Sequence, residues 1–187
     1  TPLVRLEGHT QCVSSIAWPH PLALYSVCDP IATSYALQGS WDHSIRLWDP
    51  NTAQHTNTWY GTKVISSLSF SGLSNLLATA HDDKAVRIWD PRLAGKEIIK
   101  MTLKSHKAWV SGVSWSRGVS HHLASTGHDG SVKLWDIRST VPLFTLKGHE
   151  DKGLCVDWHA GNEILSGGAD FKLHRHRVQA QPADKAT

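Results

Sequence analysis

A histidine followed nine residues later by a tryptophan occurs three times in this 187-residue chain: His9 and Trp18, His106 and Trp115, His149 and Trp158. A fourth copy, YGTKVISSLSF, keeps the spacing with Gly61 at the histidine position and Phe70 at the tryptophan position. Further along each copy an aspartate precedes a second ring residue by six: Asp42 and Trp48, Asp83 and Trp89, Asp129 and Trp135, and Asp170 with His176 in a decayed last copy. Three of these tryptophans belong to a Trp-Asp dipeptide. The starting positions 9, 61, 106 and 149 lie 52, 45 and 43 residues apart. A period of this size means one supersecondary unit repeated, because such a unit buries its apolar face only against a neighbour.

Within each unit the residues read as short strands. VSSIAW, ISSLSF, VSGVSW and LCVDW alternate apolar with small polar residues, and SIRLW, AVRIW and SVKLW alternate apolar with basic ones, the two-residue period of strands with distinct faces. Gly, Asp, Asn and Ser cluster between them in SFSGLSN, GHDGS and HAGNE, as tight hairpins require. Four antiparallel strands per unit of about 40 to 45 residues, marked by GH and WD signatures, predict a β-propeller blade. On these motifs the chain resembles the WD-repeat family over nearly its whole length. The expected fold is all-β, a propeller segment of four blades of four antiparallel strands, which the resemblance makes part of a seven-blade ring. The segment occupies residues 1–177, with repeats at about 6–49, 57–90, 103–136 and 146–177. Residues 178–187 carry no core-forming pattern and are expected to be disordered. PLVRLE at 2–7 resembles PLFTLK at 142–147, so the chain starts on a fourth strand and ends lacking one.

Composition excludes more than it selects. With 40% apolar and 19% charged residues the chain suits one globular unit, and no apolar run approaches the roughly 18 residues of a spanning helix. Nineteen basic against sixteen acidic side chains leave +3, without a basic block, so charge announces neither a nucleic-acid nor a membrane binder. Cys12, Cys28 and Cys155, odd in number and far apart, make no disulfide framework and are expected as buried small hydrophobes in a reducing compartment. The chain begins at Thr1 with no targeting segment and reads as part of something longer.

Counting four back from each turn aspartate gives Gln38, Thr79, Ser125 and Ser166, so the third repeat contains His106, Ser125, Asp129 and Trp135 together. A Ser-His-Asp nucleophile needs an exposed serine, a cleft and aimed oxyanion donors, and the sequence signals none of these. The same residue types recur in each repeat, which one active site does not require. An indole only donates, a hydroxyl accepts from it and donates onward, and a carboxylate accepts from imidazole. Each blade is therefore expected to hold a buried polar chain drawn from His9, Asp42 and Trp48; Thr79, Asp83 and Trp89; His106, Ser125, Asp129 and Trp135; and His149, Ser166 and Asp170. No catalytic residue, metal site or cofactor is assigned. His121 and His122 lie in a Ser-rich loop and are expected in solvent, while His174 and His176 alternate with Arg175 and Arg177 on a strand whose charges blunt an edge or touch phosphate.

The first repeat is out of line, with 33 residues from His9 to Asp42 where the others have 22, 23 and 21. Removing residues 27–38 (VCDPIATSYALQ) restores 21 and places Ser26 four before Asp42. The segment is either a loop bulging from the second strand or translated intron sequence. If it is present in the protein, Gln38 or Ser26 fills the hydroxyl slot.

Particular stretches are similar to one branch of the family. GHTQCVSSIAWP, SWDHSIRLWD, SHKAWVSGVSW, VPLFTLKGHEDKGLCVDW and ILSGGADFKL resemble the C-terminal four repeats of the ribosome-biogenesis branch, whose members partner Pescadillo and the block-of-proliferation protein. The resemblance covers residues 3 to about 177, with 27–38 as the departure. It implies a non-enzymatic protein-interaction scaffold for maturation of large-subunit precursor rRNA, located in the nucleus, nucleolus and nucleoplasm. Pescadillo-like and block-of-proliferation-like proteins and the pre-ribosomal particle are the implied partners, direct RNA contact stays open, and no membrane, small-molecule substrate or cofactor is implied. The branch's N-terminal ubiquitin-like domain, which engages the ATPase Midasin, has no counterpart here, and that interaction is not assigned to this chain. Binding residues are expected in loops on one end of the blades: Trp41, His43, Lys84, Lys107, Trp109, Lys152 and Phe171, aromatic and basic anchors flanking the GH and turn-aspartate positions. The alternatives are a WD-repeat adaptor of another pathway, such as a ubiquitin-ligase substrate receptor, and an rRNA-binding propeller.

Overall fold

The computed structural model describes residues 5–17, 36–49, 52–93, 98–159 and 163–178. Their strands form four antiparallel sheets, each in chain order. The first sheet is β1 (Val13–Ala17), β2 (Ala36–Ser40), β3 (Ser44–Asp49) and β4 (Gln54–Tyr60), and the second is β5 (Ile65–Ser71), β6 (Leu76–His81), β7 (Ala85–Trp89) and β8 (Ile99–Lys104). The third is β9 (Val110–Trp115), β10 (His122–Gly127), β11 (Ser131–Asp136) and β12 (Pro142–Lys147). The last holds β13 (Gly153–His159), β14 (Glu163–Gly168) and β15 (Leu173–Arg177). The last sheet has three strands among the described residues, in line with a chain whose sequence ends one strand short. Residues 5–7 carry no strand, and 2–4 lie outside the described residues. The second, third and fourth sequence repeats each straddle two sheets, taking the outer strand of one and the inner three of the next.

The alternation pattern explains which strands are inside. Middle strands β6 and β11 are buried at every position, whereas the outer strand β4 (QHTNTWY) is mostly exposed. A strand sandwiched between neighbouring sheets reads as apolar or small on both faces; an edge strand does not. The core accordingly lies between successive sheets. Leu37, Ile45, Ile65, Leu68, Leu77 and Trp89 join the first to the second. Ala78, Val86, Ile88, Val110, Val113 and Trp115 join the second to the third, and Ala124, Val132, Leu134, Trp158 and Ile164 join the third to the last.

A hydroxyl fastens each seam at the same position of the inner strand. Ser14 Oγ donates to the Ile65 carbonyl at 2.5 Å, Ser66 to Val110 at 2.6 Å and Ser111 to Gly153 at 2.6 Å. Further along the strand the backbone N–H of Trp115 donates to Ser69 Oγ at 3.2 Å and that of Trp158 to Ser114 Oγ at 3.0 Å. At position 154 the clasp residue is leucine, half exposed, and Ile16 on β1 and Leu173 on β15 are exposed as well.

Several expectations are revised. Cys12 and Cys155 are exposed free thiols, not buried hydrophobes, because no further sheet packs on β1 or β13 among the described residues; Cys28 lies outside them. His121 and His122 are half-buried and in edge-to-face contact at 4.7 Å, with His122 stacked on Trp158. The segment 27–38 is described only from Ala36, where it supplies the start of β2. Trp18, Ser26 and residues 179–187 lie outside the described residues, while Val178 packs against the Trp158 cluster.

Candidate functional site

The third sheet holds a four-member chain of hydrogen bonds. The Trp135 indole N–H donates to Ser125 Oγ at 2.8 Å, and the Ser125 hydroxyl donates to His106 Nε2 at 2.8 Å. His106 Nδ1–H donates to the Asp129 carboxylate at 3.1 Å. Asp129 also accepts from the Lys107 and Ser131 amides and the Ser131 hydroxyl. Burial alone raises its pKa, but the hydrogen bonds from His106, Lys107 and Ser131 prevail and hold the carboxyl well below the usual range. Ser125 is 0% exposed with its hydroxyl engaged on both sides, so no substrate reaches it as a nucleophile.

In the last sheet Ser166 donates to His149 Nε2 at 2.9 Å, and His149 Nδ1–H donates to Asp170 at 3.0 Å. Burial works upward on Asp170, but the bonds from His149, Glu150 and Lys172 bring it down to about 2. His176 stands where the indole stands elsewhere and makes no such donation.

The first sheet departs from expectation. His9 Nδ1–H donates to Asp42 at 2.9 Å, and the Ser44 hydroxyl reaches Asp42 at 2.6 Å. Trp48 Nε1 and His9 Nε2, however, are buried without a hydrogen-bond partner. Gln38 pairs with Arg46 in the register that pairs Thr79 with Arg87 and Ser125 with Lys133. The hydroxyl that joins indole to imidazole elsewhere is missing, and Trp48 stands outside the network.

The second sheet is rewired. Gly61 offers no imidazole, and Asp83 pairs with the Arg87 guanidinium instead of a histidine. The imidazole comes from His81, which the spacing rule overlooked. Trp89 donates to Thr79 Oγ1 at 2.6 Å, Thr79 donates to His81 Nε2 at 2.7 Å, and His81 Nδ1–H donates to the Val64 carbonyl at 2.9 Å. Burial, helped by the Arg87 charge, lowers the His81 pKa to about 4. Its only sequence signal was a histidine two residues before the turn aspartate, in a strand buried on both faces.

These networks rigidify one rim. In three sheets the loop entering the inner strand is tied to the turn between the two middle strands, by Trp41 N–H to Cys12 O at 3.0 Å, His128 to Trp109 at 2.8 Å and Ala169 to Lys152 at 2.8 Å. Every expected binding residue lies on this rim and is exposed: Trp41, His43, Lys84, Lys107, Trp109, Lys152 and Phe171. Trp41 is 50% and Trp109 58% exposed, the latter ring stacked on His128, and Phe171 is fully exposed. The residue after each turn aspartate is left-handed, with φ of 68° at His43, 67° at Lys84, 69° at Gly130 and 62° at Phe171. Glycine meets that requirement without strain, and a Cβ on Gly130 falls 2.6 Å from the His149 carbonyl. His43, Lys84 and Phe171 sustain a strained conformation while presenting their side chains to solvent.

Sheets stacked face to face, an indole-hydroxyl-imidazole-carboxylate network complete in the third sheet and partial in the others, and Trp-Asp strand ends define a WD40-repeat propeller. The chain belongs to the WD40-repeat family: residues 68–161 match the WD40 domain of anaphase-promoting complex subunit 4, and residues 1–49 match the WD domain, G-beta repeat. Within the family it is similar to the ribosome biogenesis protein WDR12 homolog of Nematostella vectensis, 40% identical over 174 residues, covering 92% of this chain and 39% of that protein. The Oryza sativa subsp. japonica homolog is also 40% identical, over 89% of this chain and 36% of its own length. The chain thus spans under two-fifths of the curated relatives it matches. Among solved structures U3-55K superimposes with a TM-score of 0.72 at 20% identity, over 92% of this chain and 54% of that one, a likeness of fold.

Proposed function

We propose that this chain is the propeller segment of a non-enzymatic scaffold in ribosome biogenesis, acting in large-subunit precursor rRNA maturation within a Pescadillo-type complex. The observation that carries the reading is the rim: seven exposed aromatic and cationic residues, six of them on loops and turns joined by backbone hydrogen bonds, and three of the seven in left-handed backbone. Strain kept at exposed anchors makes sense where a partner covers them. The names of the relatives supply the process, and the buried Ser125 hydroxyl favours binding over catalysis. Pescadillo-like and block-of-proliferation-like proteins are the proposed partners, on the pre-ribosomal particle, in the nucleolus and nucleoplasm. The repeats at about 6–49, 57–90, 103–136 and 146–177 act as one segment.

Affinity purification of the full-length protein from its source cells, with mass spectrometry of the bound proteins, tests this. Pescadillo and the block-of-proliferation protein should co-purify, and Trp109→Ala with Lys107→Glu should deplete them from a folded bait. Recovery of ubiquitin-ligase components in their place overturns the assignment in favour of another WD-repeat adaptor. Binding that survives only through rRNA, with a steep salt dependence, points to the RNA-binding reading.

A further inference from the structure

We propose that the rim of the second sheet, together with the loop that leads from it into the third, docks an acidic, extended segment of a partner protein that brings an apolar side chain onto Trp109. The inference rests on the reading of this rim as a partner-binding face and adds the chemistry of what binds there. Four lysines come together on this stretch, Lys63, Lys84, Lys104 and Lys107, and all four are exposed. Lys84 occupies the left-handed position of the turn between β6 and β7. Ala85 beside it pairs with Lys104 at the end of β8, and Lys107 follows on the loop that carries Trp109 into β9. Lys63 precedes Val64, whose carbonyl accepts from His81 at the head of that same turn.

These charges are not offset from within the chain. Among the described residues none of the four ammonium groups has an ion pair or a side-chain hydrogen bond, whereas Arg87 is paired with Asp83, Lys172 with Glu150 and Lys133 with Thr145. Of the two carboxylates in this stretch, Asp83 is held by Arg87 and Asp82 is half-buried. Asp129, across the seam, is taken up by His106, the Lys107 amide and Ser131. A cationic strip without neighbouring counter-charge steers an anionic partner toward it and selects against a basic one. On the rim of the last sheet, by contrast, Glu150 and Asp151 are exposed beside Lys152 and Lys172, and the charges there are mixed in sign. Trp109 supplies the apolar foothold: its ring is 58% exposed and held from one side by His128, at 5.8 Å and 28°, and a ring already fixed loses little freedom on binding. The same features favour protein over RNA. Lysine ammonium groups lack the planar fork with which arginine grips phosphate, and single-stranded bases stack on successive aromatic faces, where this strip has one ring with one face in use.

The test is amine acetylation of the full-length protein, alone and in the assembly purified from its source cells, followed by zero-length carbodiimide coupling of that assembly and mass spectrometry. Acetylation of Lys63, Lys84, Lys104 and Lys107 should fall at least fivefold in the assembly, while Lys100, toward the other end of β8, keeps its reactivity. Carbodiimide should join these lysines to Asp and Glu side chains of one contiguous protein segment. The charge reversals Lys84→Glu and Lys107→Glu together should cut recovery of the protein carrying that segment at least tenfold, and Trp109→Ala should weaken binding without altering its salt dependence. Lysines as reactive in the assembly as in the free protein overturn the proposal, and so does protection that disappears with ribonuclease and is accompanied by ultraviolet cross-links to RNA. If circular dichroism shows the variants unfolded, the protection and cross-links of the wild-type protein decide it. Acidic cross-links in an assembly without Pescadillo keep this inference and remove the reading above; Pescadillo recovered with the four lysines unprotected does the reverse.

Discussion

His81 Nε2 lies 2.7 Å from Thr79 Oγ1, so two residues of one strand supply the imidazole-hydroxyl contact that the third and last sheets draw from separate segments of chain. The second sheet thereby keeps its indole donor satisfied without the histidine its repeat lacks. It also ends the chain on a backbone carbonyl, not on a carboxylate, and the Asp83 charge nearby is outweighed by burial and by Arg87.

That difference predicts an acid limb. A histidine held neutral by the fold contributes stability that is complete above its ordinary pKa of 6.5 and is lost as pH falls toward 4. The unfolding free energy should drop by about 3 kcal/mol across that window, most of it above the ordinary carboxylate pKa of 3.8 at which the unfolded chain takes up protons on the turn aspartates and their contribution starts to be lost as well. Urea titrations at several pH values measure the slope, and His81→Leu should flatten it. Equal slopes in both proteins contradict the assignment.

Ser125→Ala removes the central member of the third network and strands the Trp135 N–H and His106 Nε2 in a dry interior. A loss of about 1–3 kcal/mol is expected, read as a lower midpoint in thermal or urea unfolding. An unchanged midpoint counts against the network as a source of stability.

Gln38→Ser should do the reverse. A hydroxyl at this register reaches the indole and imidazole nitrogens that now lack partners, and about 1 kcal/mol of stabilisation is expected. If the midpoint does not rise, the slot is not at Gln38, and β2 is set by residues other than 36–40.

The left-handed turn residues separate stability from function. Phe171→Gly relieves a conformation that costs roughly 1–2 kcal/mol for an L-residue, so the variant should melt higher while recovering less of the proposed partner. Gly130→Ala at the equivalent turn should melt lower, since its Cβ meets the His149 carbonyl. A Phe171→Gly protein that melts higher and binds as before removes that ring from the interface.

The strands and most of the polar network were legible because the His-to-Trp and Asp-to-Trp spacings report positions along paired strands, where register is fixed. What stayed hidden was interchangeability in space. His81 takes over from a residue twenty positions earlier because both routes reach the same point beside Thr79, and no spacing rule encodes that. Asp83 is released to Arg87 by the same exchange. Gln38 fits the register but carries the wrong group, so counting back four residues located the slot and not the failure within it. The place of the seven rim residues beside turns was legible from the spacing, whereas the exposure of Trp41 and Trp109, which could equally have packed between blades, and the edge-on contact of His149 with His174 required the sheets to be assembled.

The serine clasps at Ser14, Ser66 and Ser111 act as indexing pins. Apolar side chains between sheets can slide past one another by a fraction of an ångström and still be buried, but a hydroxyl bonded to one particular carbonyl admits a single offset. The offset from blade to blade is therefore held by small polar groups at fixed strand positions, these three and the serines further along that accept from Leu68, Trp115 and Trp158, and the orientation of each rim loop follows from them.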